Sequence, residues 1–257
     1  MKIKELYIYR EMIFSLVRRD LKGRYKGSVL GFVWTFLNPL FQLLVYTMVF
    51  SVIMKNDIEK YYLFLFVALV PWMFFSAALN TGSTCILSQA DMINKIYFPR
   101  EILPIVNVTS GFINMLLSFL VVFAVLVLSG FGLNCKALLY LPIIMIIEYM
   151  LTLGMVLIVS AATVYLRDIS FILSIVTMAW QFLTPIMYSE DMVPVEYLVI
   201  FKLNPMTAII EAYRIILYNK AVPDMNTLVG ASVYAIFFLC IGIIVFDKLQ
   251  RGFAEEL

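Results

Sequence analysis

The chain has 257 residues, of which 63% are hydrophobic and 14% charged, and its formal net charge is +2. A soluble domain has roughly 45 to 50% apolar and about 25% charged residues, so this composition excludes an ordinary soluble protein. The absence of histidine excludes His-dependent acid–base catalysis and His-ligated zinc, and three widely spaced cysteines predict neither a disulfide framework nor a metal site.

The basic amino-terminal region lacks a continuous apolar core and a small-residue cleavage site, so we do not interpret it as a signal peptide. Residues 10–22 instead predict an amphipathic helix on the cytoplasmic membrane interface. Its apolar stripe contains Met12, Ile13, Leu16 and Val17, and Arg18, Arg19 and Lys22 lie nearby. The alternative is a solvated basic arm, which the apolar stripe disfavours.

Charge-free stretches predict six transmembrane helices, because crossing the hydrocarbon core takes about 20 apolar residues. The stretches are 27–54, 61–90, 102–135, 149–166, 169–189 and 225–246. The fourth span is expected to begin before Glu148. No long polar block separates the spans, so the sequence predicts an all-α polytopic protein in which residues 1–257 form a single transmembrane domain.

The distribution of lysine and arginine predicts the orientation. With both termini in the cytoplasm, 13 of these residues lie inside and six lie outside, which agrees with the positive-inside rule. We therefore expect a multi-pass protein with both termini cytoplasmic.

The segment between the second and third spans mixes large apolar and charged residues over 89–104. Pro99 disfavours helix at the residue before it and suits the start of the next helix. The pattern predicts a short amphipathic helix, a break and then the third span. Such a helix suits docking against a cytoplasmic partner.

The longest predicted outer segment, 189–224, contains two apolar stretches that are too short to be full spans. They are 197–201 and 206–218, and Asn204 and Pro205 separate them. Proline removes a backbone donor and opens a new helix well. We predict two short outer helices before the last span.

Four runs occur in the order 24–39 (RYKGSVLGFVWTFLNP), 95–104 (KIYFPREILP), 165–169 (YLRDI) and 203–205 (LNP). Together they resemble the type-2 ABC export permeases, most closely the branch that exports lipid-linked polysaccharides such as O antigens and teichoic acids. The resemblance covers nearly the whole chain. The first two runs are long and specific, whereas the last two are weak by themselves.

The resemblance implies a permease in the bacterial inner membrane, a homodimer of six-span subunits bound to two copies of a separate ABC ATPase. The lipid-linked glycan would pass between the two permeases. The permeases would contact membrane lipid, and no nucleic acid would be involved. ATP and Mg would bind to the ATPase, and this chain would need no cofactor. The sequence agrees with this division because it contains no GxxxxGK[ST] loop.

The resemblance also implies sites. The loop residues that would couple to the ATPase are Tyr97, Phe98, Pro99, Arg100 and Glu101, with a second, smaller contact at Arg167 and Asp168. The region that would admit the substrate contains Arg24, Lys26, Leu30 and Gly31, where cationic side chains would attract a diphosphate head group. The alternative for all these charges is membrane anchoring and orientation. From its charged position in the loop, we predict that Arg100→Glu spares insertion and uncouples the ATPase.

Aromatic side chains on the first and fifth spans suit a glycan channel, because aromatic faces contact the C–H surfaces of sugars and their polar tips can bond to hydroxyls. The candidates are Trp34, Phe41, Tyr46, Trp180, Phe182 and Tyr188. The alternative is that each is a packing residue or an interfacial anchor.

Glu148 is the one acidic residue well inside a predicted span, and ionisable residues at this depth are candidates for function. Protonation, pairing across a helix interface and exposure to a wet channel all remain open. We predict that Glu148→Gln leaves export largely intact.

Two other functions remain open from the sequence. A type-2 ABC exporter of small hydrophobic compounds would need no wide channel, and a membrane scaffold would need neither an ATPase nor a substrate. A membrane enzyme is disfavoured because the spans contain no convergent carboxylate pair.

Overall fold

The computed structural model describes residues 3–24, 26–53 and 58–256, and the regular elements among them are all helical. In chain order the α-helices are α1 (Ile3–Ile8), α2 (Arg10–Gly23), α3 (Trp34–Thr47), α4 (Tyr61–Ser83), α5 (Ala90–Lys95), α6 (Ile102–Leu128), α7 (Cys135–Leu138), α8 (Leu141–Tyr165), α9 (Asp168–Phe182), α10 (Leu198–Leu203), α11 (Pro205–Leu217), α12 (Met225–Leu249) and α13 (Phe253–Glu256). A 3-10 turn, Gly31–Val33, precedes α3, and a π-helical stretch, Met48–Ile53, continues it. The all-α prediction is confirmed, and Met54, the predicted end of the first span, lies outside the described residues.

Five helical segments of the described chain are long and apolar enough to cross a membrane. They are Gly31–Ser51, Tyr61–Ser83, Ile102–Leu128, Cys135–Tyr165 and Met225–Gly252. The remaining predicted span corresponds to α9, whose 15 residues give a length of about 22 Å, below the roughly 30 Å of a hydrocarbon core. The predicted count of six is therefore not exact. The charge-free stretch includes Pro185, and α9 ends shortly before this residue.

Loops from distant parts of the chain meet at one end of the helix bundle, which we call the first end. Arg19 of α2 donates to the side chain of Gln89, which precedes α5, over 3.1 Å. The Tyr165 hydroxyl, at the end of α8, donates to the Leu249 carbonyl at the end of α12 over 2.7 Å. The amino-terminal helix α2 and the end of α12 therefore lie at the same end of the bundle.

The remaining loops meet at the opposite, second end. The Tyr61 hydroxyl at the start of α4 donates to the Met187 carbonyl over 2.8 Å. The Asn134 amide, just before α7, donates to the Lys220 carbonyl over 2.8 Å. Because Met187 lies here and α9 begins at the first end, the segment comprising α9 and residues 183–187 connects the two ends.

Helices α4 and α8 form the centre of the bundle, since most of their apolar residues are buried, whereas α3, α6 and α12 present wide exposed faces. The contact between α8 and α12 depends on glycine. A Cβ atom on Gly154 would lie 2.5 Å from backbone atoms of Phe238 and Leu239, and one on Gly242 would meet the Gly154 carbonyl. Small residues let membrane helices approach at backbone distance, and this pair does so.

The amphipathic amino-terminal helix is confirmed. Leu16 and Val17 of α2 are buried, Met12 and Ile13 pack against the core, and Phe14 is exposed. The buried stripe of α2 faces the first half of α6. Arg19 and Asp20 of α2 therefore lie beside the beginning of the long apolar helix α6.

The short helices predicted within the segments 89–104 and 189–224 are also confirmed. Helix α5 precedes an extended break at Ile96, and α6 follows. At the second end, α10 and α11 are separated at Asn204, whose side chain accepts a hydrogen bond from the Met206 amide over 3.0 Å. Pro205 then occupies the first position of α11, where its missing N–H costs nothing.

Candidate functional site

The loop between α5 and α6 presents one large side chain outward at the first end. Tyr97 is 94% exposed and its neighbour Ile96 is 56% exposed, whereas Phe98 is only 5% exposed and belongs to the core. Pro99 is half-buried. Of the five predicted coupling residues in this loop, Tyr97 is therefore the one with a side chain fully available to a partner.

Arg100 points back into the protein. Its guanidinium donates to the Gln250 carbonyl and lies 5.6 Å from the centre of the Phe253 ring. Glu101 beside it is 9% exposed. Arg100 is predicted to be a docking charge, and in the structure its contacts hold the C-terminal segment, Gln250–Glu256.

Arg167, between α8 and α9, and Asp168, the first residue of α9, are exposed at the same end. Tyr165, two residues before them, bonds to the end of α12 and packs against Phe253 with ring centres 6.2 Å apart. The C-terminal segment is thus in contact with both predicted coupling loops.

Sequence reasoning missed this role of the C-terminal segment. Phe253 is completely buried and also packs against Phe246. A lone aromatic residue among the charged residues of the tail was the available signal. Gly252 lies directly against the Tyr165 hydroxyl, so a side chain there would collide with it.

The predicted substrate-entry residues fall into two environments. Arg24 is engaged with Asp20 of α2 through a 3.1 Å ion pair. Lys26 and Gly31 line an open depression of about 890 Å³ at the first end, which we call the cationic basin. Leu30 is 45% exposed nearby in sequence. The full lining of the basin is Ser15, Arg18, Arg19, Lys22, Gly23, Lys26, Gly31 and Phe32.

Three of the predicted channel aromatics, Trp34, Phe41 and Phe182, are exposed on α3 and α9. The helices that carry them are linked by a hydrogen bond that the Gln181 side chain of α9 donates to the Tyr46 hydroxyl of α3 over 3.1 Å. We call the exposed faces of these two helices, with their aromatic side chains, the α3–α9 surface.

The other three, Tyr46, Trp180 and Tyr188, are partly buried and hydrogen-bonded within the subunit. The Trp180 indole N–H donates to the Asn204 side chain over 2.9 Å, and the Tyr188 hydroxyl donates to the Phe182 carbonyl over 2.6 Å. These contacts fix the end of α9 against the start of α11. Packing explains these residues without a channel, and the sequence could not separate the two groups.

Glu148 is completely buried in α8 and pairs across a helix interface. One carboxyl oxygen accepts a 2.6 Å hydrogen bond from the Tyr213 hydroxyl of α11. The other oxygen has no hydrogen-bond partner among the described residues. Of the three possibilities left open above, pairing across a helix interface is the one seen.

Helix α11, which is too short to be a span, carries a second buried charge at the second end. Arg214 donates to the carbonyls of Pro185 and Ile186 over 2.7 and 3.2 Å, and its guanidinium lies 3.7 Å from the centre of the Phe64 ring. Burial lowers the pKa of Arg214 to about 10, so it stays cationic at neutral pH. Arg214 thereby anchors α11 to the segment that follows α9.

Two carboxyl groups, those of Glu211 and Glu190, meet beside α11. Burial first, and then the hydrogen bond and charge of Glu190, raise the pKa of Glu211 to about 8. Lys202 reaches the Glu190 carboxylate at 3.7 Å. The contact between α11 and the loop that contains Glu190 therefore depends on a proton held at neutral pH.

The fold and these surfaces define a multi-pass α-helical membrane protein with polar loops gathered at two ends. Residues 11–218 match the family described as ABC-2 type transporter, and the chain belongs to that family.

Curated relatives resemble the chain over nearly its full length. An O-antigen export system permease protein RfbA from Myxococcus xanthus is 33% identical over 99% of this chain and 98% of its own length. Two proteins of the same name from Klebsiella pneumoniae are 30% and 29% identical over 100% of this chain and 98% of their own lengths. The resemblance inferred from the four sequence runs is confirmed.

Proposed function

We propose that this chain is the permease subunit of an ATP-driven exporter that moves lipid-linked polysaccharide outward across the bacterial inner membrane. The observation that carries the proposal is the full-length similarity to proteins named O-antigen export permeases. Membership of the ABC-2 family supports transport, and no P-loop occurs in the sequence, so ATP and Mg would bind to a separate ATPase. The relatives favour O antigen over teichoic acid as the cargo.

In this proposal the first end is cytoplasmic, as are both termini, because lysine and arginine are concentrated there. Two ATPase copies dock at the first end, where Tyr97 is exposed and where Arg167 and Asp168 form a second contact. This chain itself would perform no covalent chemistry.

The substrate would bind first on the side of the cationic basin that contains Lys26 and Gly31, where the lysine suits a diphosphate. A second copy of the chain would then cover the α3–α9 surface. Exposed aromatic side chains of both copies would line the path of the glycan, with their flat faces against sugar rings.

The test is to deplete the chain in its own host and to measure the cytoplasmic-side pool of lipid-linked glycan and the glycan at the surface. We expect the intracellular pool to rise while surface glycan falls, and expression of the chain should restore both. Depleting the partner ATPase should give the same result. Unchanged glycan pools would overturn the proposal and favour an exporter of small hydrophobic compounds, and normal pools without any ATPase partner would favour a scaffold.

A further inference from the structure

An apolar groove of about 680 Å³ runs along the surface between α2 and α6. Its lining consists of Arg10, Ile13, Phe14, Val17, Arg18, Leu21, Lys22, Phe32, Thr109, Ile113 and Leu117. The one hydroxyl in this set is engaged, because Thr109 bonds to the Tyr149 hydroxyl at 2.9 Å. The volume is that of a typical small-ligand site, and the wall suits an alkyl chain.

Three cations, Arg10, Arg18 and Lys22, line one edge of this groove. Arg10, Phe14, Arg18 and Lys22 follow one another at four-residue intervals, which places them on one ridge of α2. Arg18, Lys22 and Phe32 also line the cationic basin, so the groove and the basin share a wall.

Neither Arg18 nor Lys22 has an ion pair or a side-chain hydrogen bond among the described residues. Arg19 instead donates to Gln89, and Arg24 is paired with Asp20. No acidic side chain of the described chain lines the groove or the basin. The shared wall therefore offers two cations to an external anion.

We propose that this site binds one anionic glycerophospholipid, with an acyl chain in the groove between α2 and α6 and the phosphate at Arg18 and Lys22. Basic pockets beside membrane helices attract anionic head groups, and the charge is supplied here by a helix that packs on a span. The bound lipid would fill the space between α2 and α6 and fix α2 against the bundle.

The position of the groove favours a lipid over a second copy of the chain. Leu116 and Leu120 of α6 are exposed nearby, so the groove opens on an apolar face of a span. A two-fold interface centred on the groove would bring Arg18 and Lys22 of both copies together, and like charges at an interface are unfavourable.

The test is native mass spectrometry of the purified full-length chain, titrated with dioleoyl phosphatidylglycerol or with phosphatidylcholine of the same acyl chains. We expect the wild type to bind one phosphatidylglycerol at least about tenfold more tightly than phosphatidylcholine, as two interfacial cations would provide. The variant Arg18→Gln/Lys22→Gln should lose this preference. Ile113→Trp, which fills the groove without changing charge, should weaken binding of both lipids at this site.

A matched control removes two cations from the same end of the protein. Lys248→Gln/Arg251→Gln lowers the net charge equally, and its side chains are exposed away from the groove; it should bind phosphatidylglycerol as the wild type does. Equal binding of the two lipids to the wild type, or an equal loss in the control, would overturn the proposal. Binding of glycerol phosphate as tight as that of phosphatidylglycerol would also overturn it, because the site would then bind an anion without using the groove. Displacement of phosphatidylglycerol by a polyprenyl diphosphate glycan would overturn it by assigning the groove to the cargo. Each of these outcomes is measured without ATP, a partner protein or transport. A failure of this proposal can therefore be distinguished from a failure of the proposed export function.

Discussion

At the scale of single residues, Glu148 and Tyr213 show how a buried polar group changes the expected effect of a substitution. The bond between them links α8 to the short helix α11. Removing one partner of a buried hydrogen bond leaves the other unsatisfied, which costs about 1 to 3 kcal/mol. A conservative change that keeps an acceptor avoids most of that cost.

We therefore predict that Glu148→Gln is tolerated and that Tyr213→Phe is not. The glutamine carbonyl can still accept the Tyr213 hydroxyl, whereas phenylalanine deletes the donor and leaves the Glu148 oxygen without it. Thermal unfolding in detergent should show a small change for Glu148→Gln and a loss of about 1 to 3 kcal/mol for Tyr213→Phe. Loss of export by Glu148→Gln at normal membrane levels and stability would contradict this structural role.

A second residue-scale prediction concerns pH. The folded state keeps the Glu211 proton up to about pH 8, whereas the ordinary carboxyl pKa is 4.5. Between these values the folded state binds more protons than the unfolded state, so this group's contribution to stability decreases as pH rises and levels off above about 8. Melting temperature should fall from pH 5 to 8, and Glu211→Gln should flatten that fall. An equally steep fall in Glu211→Gln would show that another group is responsible.

At the scale of helices, the close contact between α8 and α12 leads to a prediction with a built-in control. Gly154→Ala puts a methyl group 2.5 Å from backbone atoms of α12, and such overpacking costs about 1 to 3 kcal/mol. Gly230 lies on α12 with no atom within 4 Å of a Cβ, so Gly230→Ala should be neutral or stabilising by up to about 1 kcal/mol. Thermal unfolding of the two variants compares them directly; similar losses in both would rule out the proposed packing contact.

The helical elements were largely predictable because the membrane imposes a simple rule on sequence. Uninterrupted apolar stretches located the long helices, an amphipathic pattern located α2, and Asn204 and Pro205 separated α10 from α11. The absence of charge alone could not predict the length of α9. Pro185 disfavours helix but is uncharged, so the charge-free stretch continues past the end of α9. The glycine contact of α8 and α12 depends on which helices pack together, and apolar periodicity does not specify that.

At the scale of the whole molecule, the loop between α5 and α6 was predictable from the sequence, but the directions of its side chains were not. The run 95–104 indicated a docking segment, yet its members divide between outward and inward positions. Tyr97 is exposed, Phe98 is in the core and Arg100 holds the C-terminal segment, which lies 150 residues later. Long-range contacts of this kind are absent from local sequence patterns. They also make Arg100→Glu a poor probe of docking, because it would release the C-terminal segment as well.

The neighbours Tyr97 and Phe98 allow docking to be separated from folding. We predict that Tyr97→Ala reaches wild-type membrane level and melting temperature, because its side chain is 94% exposed. If it is an interface hot spot worth about 2 kcal/mol, affinity for the partner ATPase should fall about 30-fold, and surface glycan should fall with it. Phe98→Ala should instead lose about 3 to 5 kcal/mol of stability, as expected for a buried aromatic residue.

The measurement is binding of purified ATPase to each permease variant in detergent, with melting temperature recorded on the same sample. Arg167→Ala serves as a comparison at the other exposed loop of the first end, where the predicted contact is smaller and a weaker effect is expected. Wild-type ATPase binding by Tyr97→Ala would remove the α5–α6 loop from the docking surface. A fall in melting temperature as large as that of Phe98→Ala would instead show that Tyr97 packs within the subunit, and the loss of binding would then carry no information about docking.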